Sequence, residues 1–260
     1  MVNIVPFEAD GTAQHSLATE LLGTNEAGIA QTDEAIRDVA GAVYSAGGET
    51  VTAGLHFAIL SLVLHPEVQK RAQAEIDRIV GRERLPDFSD QSSLPYVGAV
   101  FREIMRWKTA VPLGLPHAVT QDDEYEGYHI PRGASLISVF NDHFPNRAML
   151  HDPEKYPDPH AFKPERFLRE DGTLNNDDVQ IAFGFGRRIC PGIHIARSSL
   201  WIMIASLLAT FRIEPAKDAA GREIPINEDR VEGIVSTPVG FECSIVPRDA
   251  KARALLDSLA

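Results

Sequence analysis

The stretch from Phe183 to Gly192 reads Phe-Gly-Phe-Gly-Arg-Arg-Ile-Cys-Pro-Gly and leads into a long apolar segment. Its glycines predict a loop, and the apolar run from Pro191 to Phe211 predicts a helix. The loop therefore brings Cys190 to a helix N-terminus, where unpaired backbone N–H groups and the helix dipole stabilise a thiolate. Arg187 and Arg188 add positive charge beside it. We expect Cys190 to be anionic or bound to a metal.

A thiolate that stands alone restricts the kind of metal site. The chain has two cysteines, and the second, Cys243, lies in a strand-like pattern typical of the core. Zinc and iron–sulfur sites need several protein ligands, so a lone thiolate suits haem iron, whose macrocycle supplies the equatorial ligands. Two alternatives stay open. Cys190 could be a small buried hydrophobe, and His194, four residues on, could share a metal with it.

The composition excludes several classes of protein. The chain has 260 residues, of which 44% are hydrophobic, and its net charge is −12. So large an excess of negative charge opposes binding to nucleic acid, and two cysteines are too few for a disulfide scaffold, which favours an intracellular protein. The first twenty residues lack the apolar run of a signal peptide. The longest apolar runs, from Ala53 to Leu64 and from Leu200 to Phe211, fall short of the roughly 18 residues of a membrane span and predict buried helices.

Hydrophobic periodicity predicts a mainly α protein with small β-sheets, of the α+β class. Thr32 is a plausible helix cap, and His65-Pro66 is a plausible stop. The predicted elements are helices from Asp33 to Leu64, Pro66 to Val80, Pro95 to Trp107 and Pro191 to Phe211, a hairpin of Tyr125–Ile130 and Ala134–Phe140 turning at Pro131–Gly133, and a late strand from Phe241 to Val246.

Four short motifs occur in one order along the chain. The loop from Phe183 to Gly192 is preceded by Ala46–Thr50, by Glu103-Ile104-Met105-Arg106 and by Pro164-Glu165-Arg166-Phe167. Each is short, but four in register are not expected by chance. Together they resemble the haem-thiolate monooxygenases of the cytochrome P-450 superfamily, of a fungal microsomal type. The resemblance runs from about Asp33 to the C-terminus and covers the C-terminal half of what the family has.

The resemblance implies roles for residues around a haem b group. Cys190 would be the axial ligand of the iron, and Arg188 and His117 would meet the haem carboxylates. The residues that the resemblance assigns to haem binding are Cys190, Arg188, His117, Phe183, Gly184, Gly186, Gly192, Ala46 and Gly47. Arg187 is either a solvated charge or, with Arg197, part of a surface that steers an acidic redox partner.

Glu103 and Arg106 lie three residues apart and so share a helix face. They are either a solvated surface pair or, as the resemblance implies, members of a buried structural triad with Arg166 that fixes the cysteine loop.

Two adjacent glycines, Gly47 and Gly48, interrupt the longest predicted helix. They either allow close contact between helices or open a groove for dioxygen, which the resemblance favours. Thr50 and Glu49 would then be the catalytic residues that relay protons, since a hydroxyl and a solvent-reaching acid suit that task.

The expected substrate is a hydrophobic small molecule. The resemblance places its pocket at two apolar segments, although ordinary core packing is equally compatible with them. The segments consist of Val111, Leu113, Gly114 and Leu115, and of Ile234, Val235 and Ser236.

The resemblance implies a monooxygenase that uses O2 and electrons from NADPH, delivered by a reductase, to hydroxylate an apolar compound of secondary metabolism. The alternatives are an inactive family fragment without stable haem, and a haem-dependent rearrangement without external electrons. We expect residues 1–32 to be a leader and residues 33–260 to be half of one domain. An endoplasmic reticulum location is implied, with membrane association only through an N-terminal anchor that this chain lacks. The loop from Asn141 to Arg147 is longer than the family pattern.

Overall fold

The computed structural model of the chain describes residues 14–26, 32–138 and 149–259. Helices carry most of the regular structure, as predicted for an α+β protein. The helices are α1 Leu17–Glu26, α2 Asp33–Leu64, α3 Pro66–Ile79, α4 Pro95–Trp107, α5 Ile193–Thr210 and α6 Ala250–Asp257. The strands are β1 His117–Ala118, β2 Asp123–Tyr125, β3 Tyr128–Ile130, β4 Ser135–Leu136, β5 Phe211–Pro215, β6 Arg230–Val231, β7 Thr237–Pro238 and β8 Cys243–Pro247.

The predicted helix boundaries are confirmed closely. Helix α2 has 32 residues and begins and ends where Thr32 and His65-Pro66 predict. Pro66 and Pro95 each occupy the first turn of their helix, where the missing N–H group costs nothing. Helix α5 begins two residues later than predicted, at Ile193, because Pro191 and Gly192 still belong to the cysteine loop.

The chain divides into two compact units, Met1–Glu49 and Thr50–Ala260. In the first, the structure describes α1 and the first half of α2, where Ile36 is buried and most side chains are exposed. The second contains the remaining elements and the main core. Helices α2 and α5 are each long and apolar enough over 18 residues to cross a membrane, a property that buried helices of soluble proteins share. The apolar runs identified in the sequence, Ala53–Leu64 and Leu200–Phe211, therefore underestimated the length of both apolar segments.

The predicted hairpin is wrong in its pairing. Strands β2 and β3 pair with each other through a two-residue turn, Glu126-Gly127, in which both residues have positive φ. Such a turn matches the twist of antiparallel strands, which explains why β2 and β3 pair here. The predicted turn at Pro131–Gly133 is present, since the Ala134 amide donates to the Pro131 carbonyl at 3.0 Å, but the strands on either side of it do not pair with each other. Strand β4 instead pairs with β1. The last residues of the predicted second strand, and the loop Asn141–Arg147, lie outside the described residues.

The late strand is confirmed as β8. It pairs antiparallel with β5, the strand that directly follows α5 in the chain. The core of the second unit lies between α2, α3, α4 and α5, and includes the fully buried Phe57, Ile76, Ile104 and Trp201. These are the apolar faces that the helical periodicity predicts.

A carboxylate from α3 caps the helix that carries Glu103 and Arg106. Glu75 accepts hydrogen bonds from the backbone N–H groups of Tyr96 and Val97, at 3.0 and 2.9 Å. These belong to the first turn of α4, whose N–H groups have no partner within the helix and favour negative charge. Glu75 thereby fixes the position of α4 against α3.

Glu103 and Arg106 form a buried ion pair on α4, and the surface-pair alternative is excluded. Both side chains are fully buried, and two hydrogen bonds of 2.7 and 2.9 Å join the guanidinium to the carboxylate. Arg166 lies 3.2 Å from the same carboxylate. Arg106 also donates to the carbonyl groups of Leu150 and Pro159, at 2.9 and 2.8 Å. The triad therefore ties an irregular segment to α4.

Removing Arg106 should destabilise the protein strongly. In Arg106→Ala the buried Glu103 carboxylate loses its bidentate partner, which costs about 3–5 kcal/mol of unfolding free energy. The matched control is Arg212→Ala, because Arg212 pairs with Glu214 in solvent and such pairs contribute about 0–1 kcal/mol. Urea unfolding followed by circular dichroism measures both. Equal losses in the two variants would contradict a structural role for the triad.

A second ion pair holds the short 3₁₀ helix Phe88–Ser93 that precedes α4. Arg84 donates two hydrogen bonds of 2.7 Å to the carboxylate of Asp90, and the Asp87 amide donates a third of 2.9 Å. These bonds, that from Arg84 above all, lower the pKa of Asp90 from 3.8 to about 2. The ionised carboxylate therefore stabilises the fold at neutral pH.

This pair predicts a specific pH dependence. Because the folded-state pKa of Asp90 is depressed, its contribution is complete above about pH 4 and is lost as the pH falls through about 2. The stability difference between the wild type and Asp90→Asn should therefore shrink over that range. Urea midpoints at successive pH values measure it. A difference that stays constant from pH 7 to pH 2 would show that ionisation of Asp90 does not matter.

Candidate functional site

The cysteine loop is built from two short 3₁₀ turns, Gln180–Phe183 and Gly186–Arg188, followed by α5. Gly184 and Gly186 have φ values of 86° and 53°, a backbone region in which only glycine is unstrained. Across the loop, the Cys190 amide donates a 2.8 Å hydrogen bond to the Phe183 carbonyl. The glycines thus allow the chain to fold back so that Phe183 supports the cysteine.

Cys190 lies at the N-terminus of α5, as the sequence predicts. The helix begins at Ile193, whose amide donates to the Cys190 carbonyl at 3.3 Å, and Gly192 is its N-cap residue. A Cβ atom at Gly192 would lie 3.7 Å from the Cys190 sulfur. The thiol is half-buried, and the neighbouring Arg187 and Arg188 are exposed.

The other cysteine of the chain, Cys243, and His194 lie on β8 and on α5. Cys243 lies on β8 in contact with the core, where burial raises the pKa of its thiol, as expected for a structural cysteine. His194 is exposed on the first turn of α5. Within residues 14–26, 32–138 and 149–259, no group of three or more His, Cys, Asp or Glu side chains could hold a metal ion.

A polar cluster that the sequence analysis missed holds the segment before the loop. The Tyr156 hydroxyl donates to Asp177 at 2.7 Å, and Arg102 of α4 donates to the Asp177 carbonyl at 3.0 Å. Burial raises the pKa of Asp177, but the hydrogen bonds from Tyr156 and the Val179 amide outweigh burial and leave it below its ordinary value. Burial and Asp177 raise the pKa of Tyr156, so the phenol stays protonated and donates. No short motif marks these residues.

The two predicted pocket segments meet in the second unit. The Ser236 amide donates a 2.8 Å hydrogen bond to the carbonyl of Ala110, next to Val111. Ser236 is fully buried and its hydroxyl donates to Val231. By contrast, Leu115 and Ile234 are 63% and 72% exposed. The remaining residues of the two segments are half-buried or exposed, namely Val111, Leu113, Gly114 and Val235.

The remaining predicted site residues lie on β1 and α2. His117 is exposed on β1, opposite Leu136. On α2, Ala46, Gly47 and Glu49 belong to the first unit and are exposed, whereas Thr50 begins the second unit and is half-buried. A Cβ atom built on Gly47 or Gly48 would meet no heavy atom of the described structure within 4 Å. Among the described residues, these two glycines therefore make no tight contact with another helix.

Comparison with known proteins gives one consistent result. A family model described as Cytochrome P450 matches residues 9–245. Cytochrome P450 monooxygenase claR of Ampulloclitocybe clavipes is 44% identical over 250 residues, which is 95% of this chain and 44% of that protein.

Two further relatives agree. Cytochrome P450 monooxygenase claT of the same fungus is 44% identical over 88% of this chain and 46% of its own length. Cytochrome P450 monooxygenase 98 of Postia placenta is 39% identical over 94% of this chain and 46% of its own length. The chain spans about half the length of the curated relatives it matches. The cysteine loop, the buried triad and these matches agree, and the chain belongs to the cytochrome P450 family.

Proposed function

We propose that this chain supplies the haem-ligating part of a monooxygenase that hydroxylates an apolar organic compound with O2 and electrons from NADPH, delivered by a reductase. The observation that carries the proposal is the half-buried Cys190 thiol at the N-terminus of α5, within a chain of the P450 family. In this proposal residues 33–260 form one part of a P450 domain, and the family match from residue 9 extends that part into the predicted leader of residues 1–32.

The donor set at Cys190 fits haem. A single thiolate cannot complete a zinc or iron–sulfur site, but it is sufficient for a metal that brings four equatorial nitrogen ligands. Cys190 would hold the iron of the haem through its sulfur, and the haem would supply the activation of dioxygen. Arg188 and His117, both exposed, are suitable donors for the haem carboxylates. Phe183 and the glycines of the loop determine the course of the backbone beside the Cys190 sulfur.

Thr50 and Glu49 are proposed to move protons. Glu49 is exposed on α2 and can exchange protons with water, while the adjacent Thr50 is half-buried and carries a hydroxyl. A hydroxyl next to a solvent-reaching carboxyl is the simplest relay from bulk water to a sheltered site. Ala46, Gly47 and Gly48 leave the helix surface one turn earlier without bulky side chains, which suits the approach of a flat group.

The substrate is proposed to be hydrophobic because the residues at both pocket segments are. Leu115 and Ile234 present large exposed apolar side chains, and Ser236 joins their segments through its backbone. Burying such surface against a ligand contributes about 25 cal/mol per Å². Arg187 gives the cysteine side an exposed positive charge, which favours an acidic electron donor. A location at the endoplasmic reticulum is part of the proposal.

The first test is the absorption spectrum of the purified, reduced chain under carbon monoxide. We expect a thiolate-type Soret band with haem at unit stoichiometry, and we expect Cys190→Ala to abolish it. Cys243→Ala is the matched control and should retain the band, because Cys243 packs against the core.

The opposite results are equally clear. A chain that binds no haem, or a band that survives Cys190→Ala, would overturn the proposal for this chain. The absence of haem would instead support a fragment of the family that does not hold the cofactor. Turnover of a substrate without NADPH or reductase would support a rearrangement.

Loss of the Thr50 hydroxyl should uncouple electron use from product formation. With a P450 reductase and NADPH, Thr50→Ala should release more of the consumed electrons as hydrogen peroxide, since removing a positioned proton donor commonly costs about 10²–10⁴ in rate. Thr52→Ala is the matched control, because Thr52 lies two residues on and is exposed. Peroxide formed per NADPH oxidised is the measured ratio. Equal ratios in both variants would exclude Thr50 as the relay.

A further inference from the structure

Arg197, on the second turn of α5, is held by the segment that precedes the cysteine loop. Its guanidinium donates to the Asp178 carboxylate at 3.0 Å and to the Asp178 carbonyl at 2.9 Å. A planar guanidinium that grips two acceptors of one residue is oriented as well as bound. Only 25% of the Arg197 side chain is exposed. Arg197 is therefore engaged within the chain and is poorly suited to steer a redox partner.

The same guanidinium lies over an aromatic ring of the loop. The central carbon of the Arg197 guanidinium is 5.3 Å from the centre of the Phe183 ring, within the range of a cation–π contact. The Nε atom of Arg197 is buried and has no oxygen acceptor among the described residues. Arg197 touches Asp178 on one side and Phe183 on the other.

The backbone between these two contacts is strained. Val179 has a φ of 56°, in the left-handed region that β-branched residues rarely adopt, and its side chain is buried. Its amide donates to the Asp177 carboxylate at 3.1 Å, and the next amide, of Gln180, donates to the Asp178 carboxylate at 3.1 Å. Strain of this kind persists only where surrounding contacts impose it. Asp178 and Arg197 are among the contacts that do so.

The consequence for the thiol follows from one hydrogen bond. Phe183 uses its carbonyl to accept the Cys190 amide at 2.8 Å, so the position of Phe183 sets the position of the backbone that carries the sulfur. We infer that Arg197 and Asp178 are positioning residues for the cysteine ligand: the pair holds Phe183, and Phe183 holds Cys190. The inference deepens the proposed function, since it concerns the same sulfur, but the contacts themselves do not require haem.

The test is amide hydrogen exchange of the full chain, read by NMR at Cys190, with the amides of α3 as the internal reference for global stability. Arg197→Gln should raise the exchange rate of the Cys190 amide by about tenfold relative to that reference, because local opening no longer has to break the contacts of Arg197 with Asp178 and Phe183. Arg197→Lys should resemble Arg197→Gln, since an ammonium group cannot hold both acceptors and lie flat on the ring. Asp178→Asn should give a smaller increase.

Arg212→Gln is the matched control and should leave the Cys190 amide unchanged, because Arg212 pairs with Glu214 away from the loop. An exchange rate in Arg197→Gln within twofold of the wild type would overturn the inference. Full protection in Arg197→Lys would also overturn it, since charge alone would then suffice. The ferrous carbon monoxide spectrum is recorded on the same samples. A wild-type chain without haem would refute the proposed function, yet the exchange rates would still decide the role of Arg197.

Discussion

The Glu103–Arg106 ion pair on α4 is the constraint on which the rest of the second unit depends. Two charges without any exposure are costly unless every hydrogen-bonding group around them is satisfied. Arg106 meets this demand by collecting backbone carbonyls of Leu150 and Pro159, and Glu103 by accepting the amide of Lys163 at 2.7 Å. These groups belong to a segment with little regular secondary structure. The buried charges therefore provide its backbone with hydrogen-bond partners, which a helix or sheet would otherwise supply.

From that pair, a short series of contacts leads to the sulfur. The Arg106 guanidinium lies 5.4 Å from the centre of the Tyr156 ring, and the Tyr156 hydroxyl binds Asp177. Asp178 follows Asp177 in the chain and binds Arg197, which in turn lies over the Phe183 ring of the cysteine loop. The first and last steps join a helix, α4 or α5, to an irregular segment, so contacts with both helices position the loop. In the proposed function such support suits the metal ligand, because the ligand need not be reordered when the metal binds.

The sequence predicted what local signals determine. The bounds of α2 and α4 follow from a cap, a proline and a periodic apolar face, and the loop at Cys190 follows from its glycines. The hairpin pairing was wrong because strands of two or three residues carry too little pattern to select a partner, and the Glu126-Gly127 turn decided instead. Tyr156, Asp178 and Arg197 were not assigned to the loop because their partners lie about 20 residues away, at no recurring spacing. Such contacts exist only after tertiary packing.

The site has two sides with different physical characters. The residues proposed to hold the sulfur, Arg197, Asp178 and Phe183, contact one another and are tied to α5, which is the arrangement of a preorganised ligand. Leu115 and Ile234, which are proposed to contact the substrate, are exposed and apolar. Their side chains can therefore change conformation on binding without breaking contacts within the protein. If the proposed function holds, changes at Arg197 or Asp178 should therefore alter the metal site before they alter substrate selectivity. Changes at Leu115 or Ile234 should alter which apolar compound binds while leaving Cys190 in place.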